Sequence, residues 1–218
     1  MSLVNSPFFL ASAGTTIKEG QSLRFEDGDS AYLSRTPASA GNTKTWTWSG
    51  WVKRGNFGSG SYMSLFGALS GTLNSYIAYN TTYQALEVGQ GATVFRRTSA
   101  VFRDSSAWYH VVVASDTTQA TAANRLKIYI NNEELTSFSA TTDPSQNGDW
   151  YINNTLAHAV GAIYPSGSAG LYFDGYLANV TLIDGQQLDP TSFGEYQDTL
   201  WKPKSDTDIQ SLIVTGYY

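Results

Sequence analysis

The chain contains no cysteine. That excludes disulfides, a thiolate nucleophile and any sulfur-ligated zinc, and it suits folding in a reducing cytoplasm. Charge is scarce: 14% of the 218 residues are Asp, Glu, Lys or Arg, against roughly 25% in an average domain. The balance is acidic, at −5, and no cluster of Lys and Arg interrupts it. A nucleic-acid backbone would be repelled. No apolar run approaches the ~20 residues that span a bilayer, so no membrane insertion is expected. The N-terminal MSLVNSPFFLASAG has small residues after an apolar run. No Lys or Arg precedes that run, and Asn5 and Pro7 interrupt it, so we do not read a cleaved signal. Histidine occurs twice, as His110 and His158.

Uncharged polar residues, with 14% aromatics and 20 glycines, fill the space. This is a β-rich composition with polar loops rather than a disordered one. A single β-sandwich commonly reaches ~200–250 residues. The organising stretch runs from Trp108 to Leu135. Its first half is apolar on both alternating faces, Trp108 and Val112 on one, Tyr109, Val111 and Val113 on the other. Such a strand is covered on both sides and belongs in mid-sheet. Leu126, Ile128 and Ile130 then alternate with Lys127, Tyr129 and Asn131, the pattern of a half-buried strand. Asn131-Asn132 supplies a tight turn, because Asn tolerates positive φ.

Elsewhere the same period marks short strands near 63–69, 75–80, 85–89, 93–98 and 156–164. Residues 22–35 read as a hairpin about the AspGlyAsp turn at 27–29. Trp46, Trp48, Gly50 and Val52 share one face, and Trp51 points the other way. Gly50 implies that another strand or a large ring approaches closely. Over 171–185 the apolar phase slips between Leu177 and Val180, which predicts a β-bulge near Ala178-Asn179. Asp189-Pro190 opens a short helix. The tail, 203–218, reads as a last strand or a docking segment. About twelve strands and no βαβ pattern give an all-β fold: a two-sheet antiparallel jelly-roll sandwich with one short C-terminal helix. We divide the chain into an arm (1–20), the sandwich (21–188), and a short helix with tail (189–218).

Four motifs, WTWSGWVK (46–53), WYHVVV (108–113), LKIYINN (126–132) and FDGYLANV (173–180), resemble the core of the concanavalin A-like lectin/glucanase superfamily, laminin-G-like branch. The resemblance implies a jelly roll. More narrowly, residues 30–42 and 173–195 resemble domains of structural proteins of marine tailed phages, which implies a tail-fibre or head-surface module. Two positions depart from the wider pattern. Asn131-Asn132 stands where Asn-Gly is frequent. Asn179 stands where an acid is common, so no calcium role of that carboxylate carries over.

Relatives include glucanases, which present paired acids on one strand as Glu-x-Asp-x-x-Glu. No such run exists here. Glu133 and Glu134 are adjacent and would face opposite ways. No nucleophile elbow opens a helix. Each histidine lies inside a strand, where bonding to a neighbour is the ordinary state. We therefore expect no catalytic residues, no metal-binding residues and no enzymatic activity. Calcium is the exception weighed: Glu26, Asp27 and Asp29 share a turn that could offer oxygens, though Asp and Gly also simply form turns.

Sugar binding would rest on aromatics in or beside loops, which give large stacking area with a polar tip. Tyr76 and Trp201 are of this kind. We take Tyr79, Tyr83, Trp150, Tyr151 and Tyr164 as the carbohydrate-binding candidates. Phe8, Phe9 and Leu10 of the arm are the partner-docking candidates. The expectation is a non-enzymatic virion structural protein, a surface module for capsid decoration, head fibre or tail fibre. It would be attached to other capsid or tail proteins through its terminal segments, homo-oligomeric, and assembled in the host cytoplasm. The alternative is a glycan-binding lectin or adhesin for host surface polysaccharide.

Overall fold

A computed structural model describes residues 21–58, 60–70, 73–163 and 170–212. Phe8, Phe9, Leu10 and Tyr164 lie outside the described residues. In chain order the strands are β1 (Leu23–Phe25), β2 (Leu33–Arg35), β3 (Thr45–Arg54), β4 (Tyr62–Ser70) and β5 (Leu73–Asn80). Next come β6 (Ala85–Gln90), β7 (Thr93–Thr98), β8 (Tyr109–Asp116), β9 (Leu126–Ile130) and β10 (Glu133–Glu134). The remainder are β11 (Phe138–Thr141), β12 (Ala157–Val160), β13 (Gly175–Asp184), β14 (Gly194–Gln197) and β15 (Leu200–Pro203). A single α-helix among the described residues, α1 (Asp206–Gln210), follows.

One sheet has six strands in the order β1-β13-β3-β8-β9-β10, a second has seven, β11-β7-β6-β5-β4-β12-β2, and β14 pairs with β15 as a separate two-stranded ribbon. The paired strands in both sheets are antiparallel. The edge strands are the short ones, from two to four residues, which leaves little open ladder for a stray chain to extend. The fold is the two-sheet jelly-roll sandwich that the strand pattern predicts.

The core follows from period two. Trp46, Trp48 and Val52 of β3, Val111 and Val113 of β8, and Leu126 and Ile128 of β9 face Met63, Leu65, Ile77, Tyr79, Leu86 and Val88 of the other sheet. A Cβ on Gly50 would lie 2.8 Å from the Trp48 ring, which is the close approach its phase demands. Asn131 and Asn132 take φ of 50° and 73°, the left-handed pair of a tight hairpin turn. The bulge is present: pairing of β13 with β3 shifts between Ala178 and Thr181. Asn179 there has φ of 47°. The slip lets Leu177 and Val180 both reach the core while Ile183 turns outward.

Three expectations are corrected. Residues 22–35 are not a hairpin. The turn closes, with Ala31 N–H donating to Glu26 C=O at 3.2 Å, but β1 pairs with β13 in one sheet and β2 with β12 in the other. The ten-residue β13 offers β1 a longer partner than β2 does, and β2 takes the open edge of the four-residue β12. Trp108 is not in the strand that begins at Tyr109, and its side chain is partly exposed. The helix at Asp189-Pro190 is a single 3-10 turn, Pro190–Ser192, with the Asp189 carboxylate accepting from Thr191 N–H. The α-helix sits further on, inside the tail read as strand or docking segment.

Strand β8 is covered on both faces, as its composition requires. On the outer side Val112 and Ile183 pack against Phe193 and Ile209, which arrive with the 3-10 turn and α1.

Candidate functional site

The outer face of the seven-stranded sheet carries a carboxylate with no exposed surface. Leu86 and Val88 point into the core, so alternation sends Glu87 outward from β6. Ala78 and Arg97 are its direct cross-strand neighbours. Four donors converge on it. The hydroxyls of Tyr62 and Tyr76 donate to Oε1 at 2.7 and 2.9 Å. Asn80 Nδ2 and Arg97 Nε donate to Oε2 at 3.3 and 2.7 Å. Four donors from four neighbours satisfy a carboxylate that would otherwise be costly to bury.

The tyrosines stay protonated. Burial, followed by the Glu87 charge, pushes the phenols of Tyr62 and Tyr76 above their ordinary range. Ile163 and Leu171 close one side of the cluster against Tyr76 and Tyr62. The other side opens at Tyr83. Asn80 connects the two layers: its Oδ1 accepts from the backbone N–H groups of Thr82 and Tyr83 at 3.1 and 3.3 Å. That Asx-type turn lifts Tyr83 out of the sheet, where it is 50% exposed. The Arg97 guanidinium lies 4.1 Å from the Tyr83 ring centroid. Among the described residues no hydrogen bond engages the two terminal nitrogens of Arg97. The lip therefore offers an aromatic face and two N–H forks, held in place by a buried acid.

Cleavage of a sugar bond needs two carboxylates about 5–10 Å apart, whereas the partners of Glu87 are two tyrosines, an asparagine and an arginine. Glu133 and Glu134 are exposed turn-flanking charges, and Glu134 pairs with Lys127 at 3.3 Å.

The other candidates fall as follows. Tyr79 is fully buried and Trp150 nearly so, which removes both as sugar platforms. Tyr79 shares the inward phase of Ile77. Trp150 stands edge-on to Trp46 at 5.2 Å and to Phe95 at 5.0 Å, its indole N–H donating to Ser115 Oγ. Tyr76 is buried beneath the cluster. Tyr151 is half-buried near the Gln90 end of β6, its backbone N–H donating to Ser75 Oγ and Gln90 Oε1. Of the four candidates among the described residues, Tyr83 alone lies at the open lip. Glu87, Arg97, Tyr62 and Asn80 were not singled out from the sequence. The readable signal was Glu87 itself, a lone acid inside the apolar strand ALEV.

Neither histidine is a base. Trp201 Nε1–H donates to His110 Nδ1 at 3.1 Å, so Nε2 carries the proton and gives it to Ser49 Oγ at 2.9 Å. Burial pushes His110 down to about 3. His158 Nε2 accepts from Asn153 N–H and Nδ1–H donates to Leu156 C=O. Burial lowers it too.

For a cation, the described residues offer Glu26, Asp27 and Asp174, whose carboxylate oxygens lie within 4.8 Å of one another. Asp29 is not among them, and Asp174 enters through the fold. Arg24 already bridges Glu26 at 2.7 Å and Asp174 at 3.2 Å, so a cationic side chain occupies the ground a metal would need.

Layers, topology and a polar sheet face define a jelly-roll sandwich of the lectin type. The chain belongs to the concanavalin A-like lectin/glucanases superfamily, whose laminin-G-type model matches residues 27–192. A search of curated protein sequences finds no match. Among solved structures, the CBM40 module of the Ruminococcus gnavus IT-sialidase aligns with a TM-score of 0.51 at 13% identity, over 83% of this chain and 98% of the module. Domain 4 of AbnA, a GH43 extracellular arabinanase from Geobacillus stearothermophilus solved in complex with arabinotriose, aligns with a TM-score of 0.50 at 16% identity. That alignment covers 79% of this chain and 68% of the other. At these identities the likeness is one of fold.

Proposed function

We propose that the protein is a non-catalytic carbohydrate-binding module, displayed on the surface of a phage particle, that holds host-surface glycan on the outer face of its seven-stranded sheet. One observation carries the reading: Tyr83 and the terminal nitrogens of Arg97 stand open at the lip of a cluster in which Tyr62, Tyr76, Asn80 and Arg97 all donate to Glu87. A pyranose lays its C–H face on an aromatic ring and offers hydroxyls to N–H forks. Family membership and the arabinotriose-bound fold neighbour support glycan as the ligand. The likeness of residues 30–42 and 173–195 to phage structural domains supports the particle surface as its place, with the arm bearing Phe8, Phe9 and Leu10 as the attachment.

The test is an array of bacterial surface polysaccharides probed with the native chain and with Tyr83→Ala, followed by titration of each hit. Tyr83 is half exposed, so Tyr83→Ala should leave Tm within a degree or two. It should weaken binding at least about tenfold, which corresponds to ~1.4 kcal/mol. Silence across the array, or equal binding by both proteins, would refute the site. Antibodies to the folded chain should decorate intact particles, and labelling only of disrupted particles would refute the placement.

A further inference from the structure

The opposite face carries a second constellation. The segment holding β14, β15 and α1 covers much of the outer side of the six-stranded sheet, and Trp201 caps its Trp51–His110 row. One row further along, the strands run out beyond this cover. Arg24 is opposite Tyr176 and Tyr176 is opposite Lys53. Trp108 lies one step past the pair Val52 and Tyr109, beside Lys53.

Tyr176 and Trp108 are thus two strands apart, about 9–10 Å at ordinary strand spacing. Their ring centroids are only 6.5 Å apart, tilted by 58°. The two rings lean toward each other across the Lys53 position. Both are partly exposed, at 39% and 37%. Among the described residues no hydrogen bond or ion pair holds the Lys53 ammonium. Asp104, which feels its charge, is itself held first by Ser106. On the far side of Tyr176 the Arg24 guanidinium, 5.4 Å from the ring centroid, is committed to Glu26 and Asp174.

A lysine that no hydrogen bond or ion pair holds among the described residues, in register with Tyr176 and beside Trp108, joins a positive charge to a stacking surface. We propose that Trp108, Tyr176 and Lys53 form a binding site for a pyranose bearing a carboxylate, a uronic-acid residue of an acidic polysaccharide. The sugar's C–H face lies against Trp108 and Tyr176, and its carboxylate accepts from the Lys53 ammonium. This site is on the other sheet from Tyr83 and does not depend on it.

Isothermal titration of the full chain with trigalacturonate tests it, with neutral maltotriose as control and with Trp108→Ala, Lys53→Gln, Tyr83→Ala and a form lacking residues 1–20. The native chain should bind trigalacturonate, and affinity should fall severalfold between 50 and 300 mM NaCl. Trp108→Ala should lose at least tenfold and Lys53→Gln at least fivefold, each to the same extent in the Tyr83→Ala background. Circular dichroism and Tm confirm folding of each variant. No binding by the native chain, equal binding of maltotriose, or an unaffected Lys53→Gln would overturn the proposal. So would binding that appears only after residues 1–20 are removed, since the arm would then be the natural occupant. Failure of the Tyr83 site leaves these outcomes unchanged, so the two readings fall separately.

Discussion

Glu87 is the residue on which the sheet face depends. Its two oxygens hold Tyr62, Tyr76, Asn80 and Arg97, and Asn80 in turn holds the turn that presents Tyr83. Glu87→Ala removes the shared acceptor, leaves the Arg97 charge without its partner and leaves two phenols unpaired. Arg97 keeps its terminal nitrogens in solvent, so the cost is mainly that of the two unpaired phenols, ~1–3 kcal/mol each. We expect that loss in urea denaturation, with Glu87→Gln nearer 1–3 kcal/mol because the amide oxygen still accepts. A loss below ~1 kcal/mol for Glu87→Ala would show that water reaches the carboxylate. Arg54 is the contrasting case. It has no exposed surface and, among the described residues, no carboxylate partner. Its guanidinium donates to Phe102 C=O at 2.6 Å between the rings of Phe57 and Tyr79, at 4.8 and 4.6 Å. Burial lowers its pKa. Neither residue could be ranked from the chain alone, since which donors surround a side chain is settled by strands far apart in sequence. Tyr79 was more legible: it keeps step with Ile77, and that phase places it inward. Trp150 has no such phase, because it comes from a long connection that folds back under the sheet.

At the level of elements, strand β8 explains the C-terminus. Val112 faces away from the sandwich core, so something must cover it, and Phe193 and Ile209 do. The helix α1 has five residues, far below the ~12–15 at which an isolated helix becomes even marginal. It persists because Ile209 docks and Ser205 caps, accepting from Asp208 N–H at 3.2 Å. Ile209→Ala should therefore cost ~2–4 kcal/mol, as truncation of a buried aliphatic does. Amide exchange should show protection lost over 205–212 and at Val112. Retained protection there would mean that the helix stands without its anchor. The need for this cover was readable in the two apolar faces of β8, but its source was not. Ser205-Asp206-Thr207-Asp208 is a short N-capping signature, legible once a helix is sought in the tail. Strands, the Asn131-Asn132 turn and the bulge at Asn179 were legible because period two and positive φ act locally. The partner choice of β1 and β2 was not, because it depends on which strand of which sheet lies nearest. Tight turns signal reversal of the chain, not pairing of what flanks them.

Across the whole molecule, the buried histidines tie both sheets to pH. His110 sits in the six-stranded sheet between Trp51, stacked at 4.9 Å, and Trp201. His158 sits in the seven-stranded sheet beside Phe66, at 5.9 Å. Burial lowers both, His110 to about 3. In the unfolded chain an imidazole titrates near 6.5. Between those values the unfolded state binds the proton that the folded state refuses, so stability falls as pH drops. His110 alone contributes a slope of ~1.4 kcal/mol per pH unit from about pH 6 toward pH 4, and His158 steepens it. Asp104, Asp116 and Asp149, held low first by Ser106, despite partial burial by Thr118, and by Lys44 respectively, add their losses only below about pH 4. Denaturation at pH 7.5, 6 and 5 should show stability flat above neutrality and declining below 6. His110→Gln, which keeps a donor toward Ser49, should flatten the decline by roughly half. A native profile level from 7.5 to 5 would mean that water protonates the histidines in place, and that the layers around Trp51 and Phe66 open without unfolding.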